Sequence, residues 1–174
     1  RSDGFRDFTG YDKYFLAPAI GIQLSESTRL TLKGEFLHYD GAFDRGLPNH
    51  PISFSVPISR NFGEPWMRSE KDQWLGSAEL VHAINEDWKL RVGAQAAKTH
   101  ANISYQNYGF PPVLGNTIAR TFIKGTDTIN DRTVQTELYG HLTAGPLQHK
   151  LLFGTEYNYD EWAYALRRAP GTPI

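Results

Sequence analysis

Trp74-Leu75-Gly76-Ser77-Ala78-Glu79-Leu80-Val81-His82-Ala83-Ile84, the break Asn85-Glu86-Asp87, and Trp88-Lys89-Leu90-Arg91-Val92-Gly93-Ala94-Gln95-Ala96 decide the fold. From Trp74 onward every second residue is apolar or small, apart from His82. After the break, Trp88, Leu90, Val92, Ala94 and Ala96 share one face, and Lys89, Arg91, Gly93 and Gln95 share the other. A period of two puts alternate side chains on opposite faces of a strand, so this is a hairpin with one greasy and one more polar face. In a soluble sheet the greasy face meets a second layer. In a membrane barrel it meets lipid, and the polar face lines the lumen.

The same alternation recurs on both sides. A strand from Tyr11 to Leu24 carries Tyr14, Leu16, Pro18, Ile20, Ile22 and Leu24 on one face, and Ser25-Glu26-Ser27-Thr28 forms a polar turn. Leu30, Leu32 and Phe36 mark a second strand, followed by an irregular stretch from Gly41 to about Asp72. A structureless connection of roughly 30 residues is unusual in a compact soluble domain. Beyond the hairpin a strand runs toward Tyr105, and the stretch from about Gln106 to Asn116 reads as irregular. Extended structure resumes near Ile118, with Asp127 to Asp131 expected to be a polar bend beyond the membrane. In Thr133–Leu142 the apolar side is even-numbered. After Gly145-Pro146 it is odd-numbered: Leu147, His149, Leu151, Phe153, Thr155, Tyr157 and Tyr159.

Residues directly opposite in an antiparallel pair share a face, so parity constrains loop length. The first two hairpins keep an even-numbered apolar face and need odd loops; the last switches parity and needs an even one, as Gly145-Pro146 supplies. All three turns are short, whereas every other connection is long. That one-sidedness predicts an all-β, antiparallel up-and-down transmembrane β-barrel segment of about six strands, with short periplasmic turns and long extracellular loops. A strand tilted about 40° rises about 25 Å from Trp74 to Ile84, the height of a lipid-facing band.

Composition narrows the function classes. The 174 residues carry a net charge of −1, which gives no general pull toward nucleic acid. Cysteine is absent, excluding disulfides and thiolate chemistry. No apolar run approaches the roughly 18 residues of a spanning helix, and alternating barrel strands escape that test. The chain opens Arg1-Ser2-Asp3-Gly4-Phe5, without Met or an apolar signal segment, and is expected to be a processed chain or an excised piece. No phosphate loop, nucleophile elbow or metal-spaced histidine pair occurs, so neither an enzyme nor a metal site is expected.

Four stretches carry a family resemblance: Phe43-Asp44-Arg45-Gly46-Leu47-Pro48, Ser59-Arg60-Asn61-Phe62-Gly63-Glu64-Pro65, Ile118-Ala119-Arg120, and Thr143-Ala144-Gly145-Pro146-Leu147-Gln148-His149-Lys150-Leu151-Leu152-Phe153-Gly154-Thr155-Glu156-Tyr157. Together they resemble a TonB-dependent siderophore receptor of the ferrichrome/hydroxamate type. The last stretch is the most specific, being similar to the family's short turn followed by H-x-LL-x-G-x-(D/E)-(Y/F). The resemblance implies that residues 1–174 are part of a barrel of about 22 strands in the bacterial outer membrane, without its plug domain and remaining strands. It further implies uptake of an iron(III)–siderophore complex, with no other cofactor. The implied partners are the receptor's own plug, the TonB complex through an N-terminal region not in this chain, and outer-membrane lipid.

Aromatic loop residues line the ligand pocket of such receptors. Phe43, Tyr105 and Tyr108 fall where the family places them, and Trp66 and Phe110 are added on loop location alone. Loop packing is the competing reading for all five. The row Lys33, Glu35, Glu79, Lys89, Arg91, Glu137 and Glu156 is expected to be lumen charge pairing across strands and with the plug. Alternatives of other classes are a passive porin- or adhesin-like barrel and a soluble β-sandwich binding module.

Overall fold

Seven strands build a single antiparallel sheet in the computed structural model, which describes residues 2–49, 51–114 and 117–171, and only the backbone of residue 52 and of residues 109–114. They are β1 (Tyr11–Leu16), β2 (Ala19–Ser25), β3 (Thr28–Ala42), β4 (Arg68–Ala83), β5 (Trp88–Leu114), β6 (Thr117–Ala144) and β7 (Leu147–Gly171). A short 3-10 turn, Pro51–Phe54, lies in the β3–β4 connection. Neighbours follow chain order, an up-and-down meander in which β1 and β2 both pair with β3. No helix among the described residues is long and apolar enough to cross a membrane.

The expected first strand is thus two segments in one register. Leu16 faces Phe36 and Ile20 faces Leu32, so nothing slips across the gap. Pro18 lies in the gap because its ring nitrogen has no hydrogen to donate to the ladder. Its carbonyl still accepts from Gly34 N at 2.9 Å.

Two of the three short turns have the expected parity; the first is even where an odd loop is expected. Ser25 faces Thr28 across the two-residue turn Glu26-Ser27, and a bulge between Gln23 and Ser25 restores the even face. In the β4–β5 turn, Asn85 Oδ1 accepts from the backbone N–H groups of Asp87 and Trp88 at 3.0 and 2.8 Å, closing a three-residue loop. Ala144 faces Leu147 across Gly145-Pro146. Gly145 has φ +62°, the conformation that the first central residue of a type II′ turn requires.

One face of the sheet is a continuous apolar surface open to its surroundings. Leu16, Ile20 and Leu24 stand on it in β1 and β2, Val134 and Leu142 in β6, and Phe153 and Tyr157 in β7, all exposed. No second layer covers them among the described residues, and the buried apolar side chains lie elsewhere: Phe62, Met67, Ile118 and Ile123. Lipid is the solvent that such a face requires. The opposite face is polar. Arg91 bridges Glu79 at 2.7 Å on β4 and Glu137 at 3.1 Å on β6, while Gln135 donates to Glu156 and Thr133 to Asn158. The expected lumen row therefore pairs across strands at Glu79, Arg91, Glu137 and Glu156.

Two irregular stretches differ from expectation. β5 and β6 pair through Tyr108 with Arg120 and, after a shift, Val113 with Ile118, so most of the Gln106–Asn116 stretch is a projecting hairpin. Asp127–Asp131 is uninterrupted strand, each residue paired with both β5 and β7, and no bend occurs. Beyond the lipid band both faces of a strand are polar or loop-covered, so alternation disappears while the ladder continues. From Thr99 to the end of β5 the hairpin adds about 50 Å of strand.

Candidate functional site

The long β3–β4 connection folds back onto the β5–β6 hairpin, and its first residues form the candidate site. Phe43 N donates to Met67 O at 3.0 Å and closes the base of the loop. Asp44 Oδ1 then accepts from Gly46 N at 2.8 Å, while its Oδ2 pairs with Arg6 at 3.0 Å. Gly46 has φ +74°, so the chain reverses where a side chain would be strained. Tyr108 reaches over from β5 and donates its hydroxyl to Gly46 O at 2.9 Å.

That turn stacks Phe43 on Tyr105, with ring centroids 4.6 Å apart and planes 21° apart. Arg45 lies over both rings, 5.3 Å from the Tyr105 centroid and 6.0 Å from that of Phe43. Its guanidinium is exposed and has no carboxylate partner among the described residues. Phe43, Arg45 and Tyr105 therefore make a platform with an apolar floor and a cationic, hydrogen-bond-donating edge.

A second part of the loop is anchored by a buried polar cluster. Arg120 Nη1 donates to Glu64 Oε1 at 2.6 Å and to Gln106 Oε1 at 3.2 Å. Gln106, fully buried, donates to Phe62 O at 2.7 Å. Asn61 ties the loop to the N-terminal segment through Asp7 O at 2.8 Å. The anchor holds the loop against β5 and β6 and so fixes the platform's height. Burial raises the Tyr108 hydroxyl above the ordinary tyrosine range, with a lesser opposing pull from Gln106.

Of the five aromatic residues expected at a site, the structure brings three together: Phe43, Tyr105 and Tyr108. Trp66 lies apart, edge-on to Phe122 at 5.1 Å and 87°, in an outward groove with Lys124 and Arg167. Phe110 falls outside the described side chains. Arg45 is the addition that aromatic-loop reasoning missed. Its signal was local, a cation two residues after Phe43. Arg120, Gln106 and Glu64 carried no short-range signal, since Glu64 and Arg120 are 56 positions apart.

With the geometry in place, the likeness to known proteins can be stated. Residues 17–173 match the TonB dependent receptor-like, beta-barrel family, and the chain belongs to it. The barrels of this family are outer-membrane receptors rather than enzymes. Among curated relatives, the metal-pseudopaline receptor CntO of Pseudomonas aeruginosa is 31% identical over 172 residues, 97% of this chain. The chain spans 24% of that receptor's length. Among solved structures, the siderophore receptor PiuA of Acinetobacter baumannii superimposes with a TM-score of 0.78 at 22% identity, over 88% of this chain and 24% of PiuA. The ferripyoverdine receptor of Pseudomonas aeruginosa superimposes at 0.77 and 19% identity, over 98% of this chain and 26% of that receptor. At these identities the two structures bear on the fold.

Proposed function

We propose that residues 1–174 form a consecutive part of the barrel wall of a TonB-dependent receptor that takes up metal–chelator complexes, iron(III) siderophores among them. The Arg45–Phe43–Tyr105 platform carries this reading. A metal chelate is a bulky body with an organic periphery and ligand oxygens at its surface; ring faces suit the first and a guanidinium edge the second. Hydroxamate siderophores, the type named by the resemblance, offer such oxygens. The relative named for metal-pseudopaline widens the range to chelates of other metals. The polar lumen face, with Arg91 held between Glu79 and Glu137, suits a plug that TonB displaces during transport.

Binding of hydroxamate, catecholate and carboxylate ferric chelates to the full receptor, followed by intrinsic fluorescence quenching, tests the proposal. Arg45→Gln is expected to weaken binding of the cognate chelate about ten-fold, the loss of one charge-assisted hydrogen bond. Phe43→Ala is expected to weaken it further. Unchanged affinity in both variants, or no binding of any metal chelate, refutes it.

A further inference from the structure

Below the platform the inner wall carries a second aromatic group, and cations flank it. Odd-numbered residues of β1 and of β3 to β6 share the lumen face with Arg91, so Tyr39 and Gly41 lead up to Phe43 along one side of β3. Gly41 lets Tyr39 lie along the wall. A Cβ at Gly41 would stand 2.5 Å from the Tyr39 hydroxyl oxygen and 2.6 Å from Tyr11 Cβ. The Tyr39 ring therefore leans over that residue, toward the platform, and stacks on Tyr11 with centroids 5.6 Å and planes 28° apart.

Tyr39 is directly opposite Lys13 on β1 and Lys71 on β4. With Tyr11, Leu37 and Ser69 these three line a hollow of about 360 Å³. Neither lysine has a carboxylate partner among the described residues. The acids nearest in sequence, Asp12, Asp40, Glu70 and Asp72, alternate to the outward face, where Asp40 pairs with Arg68 and Asp72 with His38. On the lumen face, Glu35 stands four residues below Tyr39, about 13 Å of strand, with Lys33 next beneath it. Asp127 shares the level of Lys71 but lies two strands away beyond Ala101, about 10 Å. There it accepts from Trp162 Nε1 at 3.2 Å. Asp131 and Asp160 face each other four residues below Asp127. The hollow is thus cationic around a ring face, and Arg45 adds a third cation above it.

We propose that Lys13, Tyr39 and Lys71 form a specificity subsite that selects metal chelates of net negative charge. The ammonium groups take ligand carboxylates or phenolates, and the ring takes a flat part of the chelator. This rests on the uptake reading and narrows its cargo. An uncharged tris-hydroxamate complex would leave both ammonium groups without a counter-charge, whereas a polycarboxylate or catecholate complex supplies one for each.

The test titrates the full receptor in detergent with ferric citrate, an iron(III) tris-catecholate and an uncharged iron(III) tris-hydroxamate, each followed by fluorescence quenching. Wild type is expected to bind an anionic probe more tightly than the uncharged one, and that binding is expected to weaken as salt rises. Lys13→Met/Lys71→Met is expected to weaken anionic binding about ten-fold, the loss of two exposed charge pairs, and to leave the uncharged probe within about two-fold. Lys13→Arg/Lys71→Arg is expected to keep the preference. Lys98→Met/Lys124→Met, which removes two cations from the outward face, is expected to bind as wild type. Heat-modifiable migration verifies folding of each variant. An equal loss for charged and uncharged probes overturns the assignment, because the lysines then hold the receptor together rather than its cargo. Chelate binding without a preference for negative charge overturns it too and leaves the uptake reading standing, whereas no binding of any chelate overturns both.

Discussion

Replacing Glu64 with alanine tests how the β3–β4 loop is held. The Arg120 side chain is 4% exposed and its Nη1 lies 2.6 Å from Glu64, whose side chain is 35% exposed. Removing one partner of a fully buried ion pair costs about 3–5 kcal/mol, because the other charge stays behind without compensation. Here water already reaches Glu64, and Arg120 keeps its contact with Gln106 Oε1. The expected cost is therefore lower, about 2 kcal/mol. It falls on opening of the loop rather than on the ladder, since no strand pairing involves Glu64. Backbone amides that the closed loop protects, those of Phe43, Gly63 and Met67, should then exchange with deuterium about thirty-fold faster in the full receptor. Strand amides such as those of Leu80 and Val92 should keep their rates. Unchanged loop exchange in Glu64→Ala would refute the account.

Other perturbations separate faces and turns. Leu80→Lys, on the lipid face, should destabilise insertion by about 2–4 kcal/mol in refolding into vesicles, whereas Gln95→Lys, on the lumen face, should be tolerated. Gly46→Val should open the platform turn: a Cβ there meets nothing within 4 Å, so the cost of about 1–2 kcal/mol is backbone strain at φ +74°. Chelate binding by that variant should fall with it, while Gly76→Ala, also in open space but without a positive φ, should bind as wild type. Tyr108 loses its proton later in the folded loop than in the unfolded chain. Its contribution is thus fully present below the ordinary tyrosine range and is lost as pH rises through the higher folded value. Tyr108→Phe should remove a late-titrating component from the phenolate absorbance, together with the alkaline step in loop exchange.

The lipid band and the short turns were legible in the sequence because there two different solvents, hydrocarbon and lumen water, write opposite demands on alternate residues. Trp74–Ile84 and Leu147–Tyr159 show this, and parity set the length of the last two turns, while at the first a bulge between Gln23 and Ser25 takes its place. Above the band the code lapses. Gly109-Phe110-Pro111-Pro112 carries the strongest loop signals in the chain, and there the pairing with β6 is interrupted, yet β5 resumes it at Val113 opposite Ile118. Asp127–Asp131 looks like a turn in composition but is strand, since carboxylates and amides are at ease on either face where both are wet. For the candidate site, aromatic type and loop position singled out Phe43, Tyr105 and Tyr108, which the fold brings together. Their convergence depends on a loop folding back over a distant hairpin. The same two criteria led to Trp66, which the fold packs edge-on against Phe122 instead.

The two-residue Gly145-Pro146 connection makes β7 intolerant of an odd insertion or deletion. One extra residue at that point would exchange the environments of the whole strand, carrying Lys150, Glu156 and Asn158 into hydrocarbon and Phe153 and Tyr157 into the water-filled interior. At roughly 2–4 kcal/mol for a single basic group at mid-membrane, such a frame error would cost as much as a domain's typical net stability once several polar residues are counted. The β3–β4 connection has no such arithmetic, because a long loop can absorb one residue without turning the next strand over. Change in length is thereby channelled to the long loops, and at a short turn an odd change needs a compensating bulge, such as the one between Gln23 and Ser25.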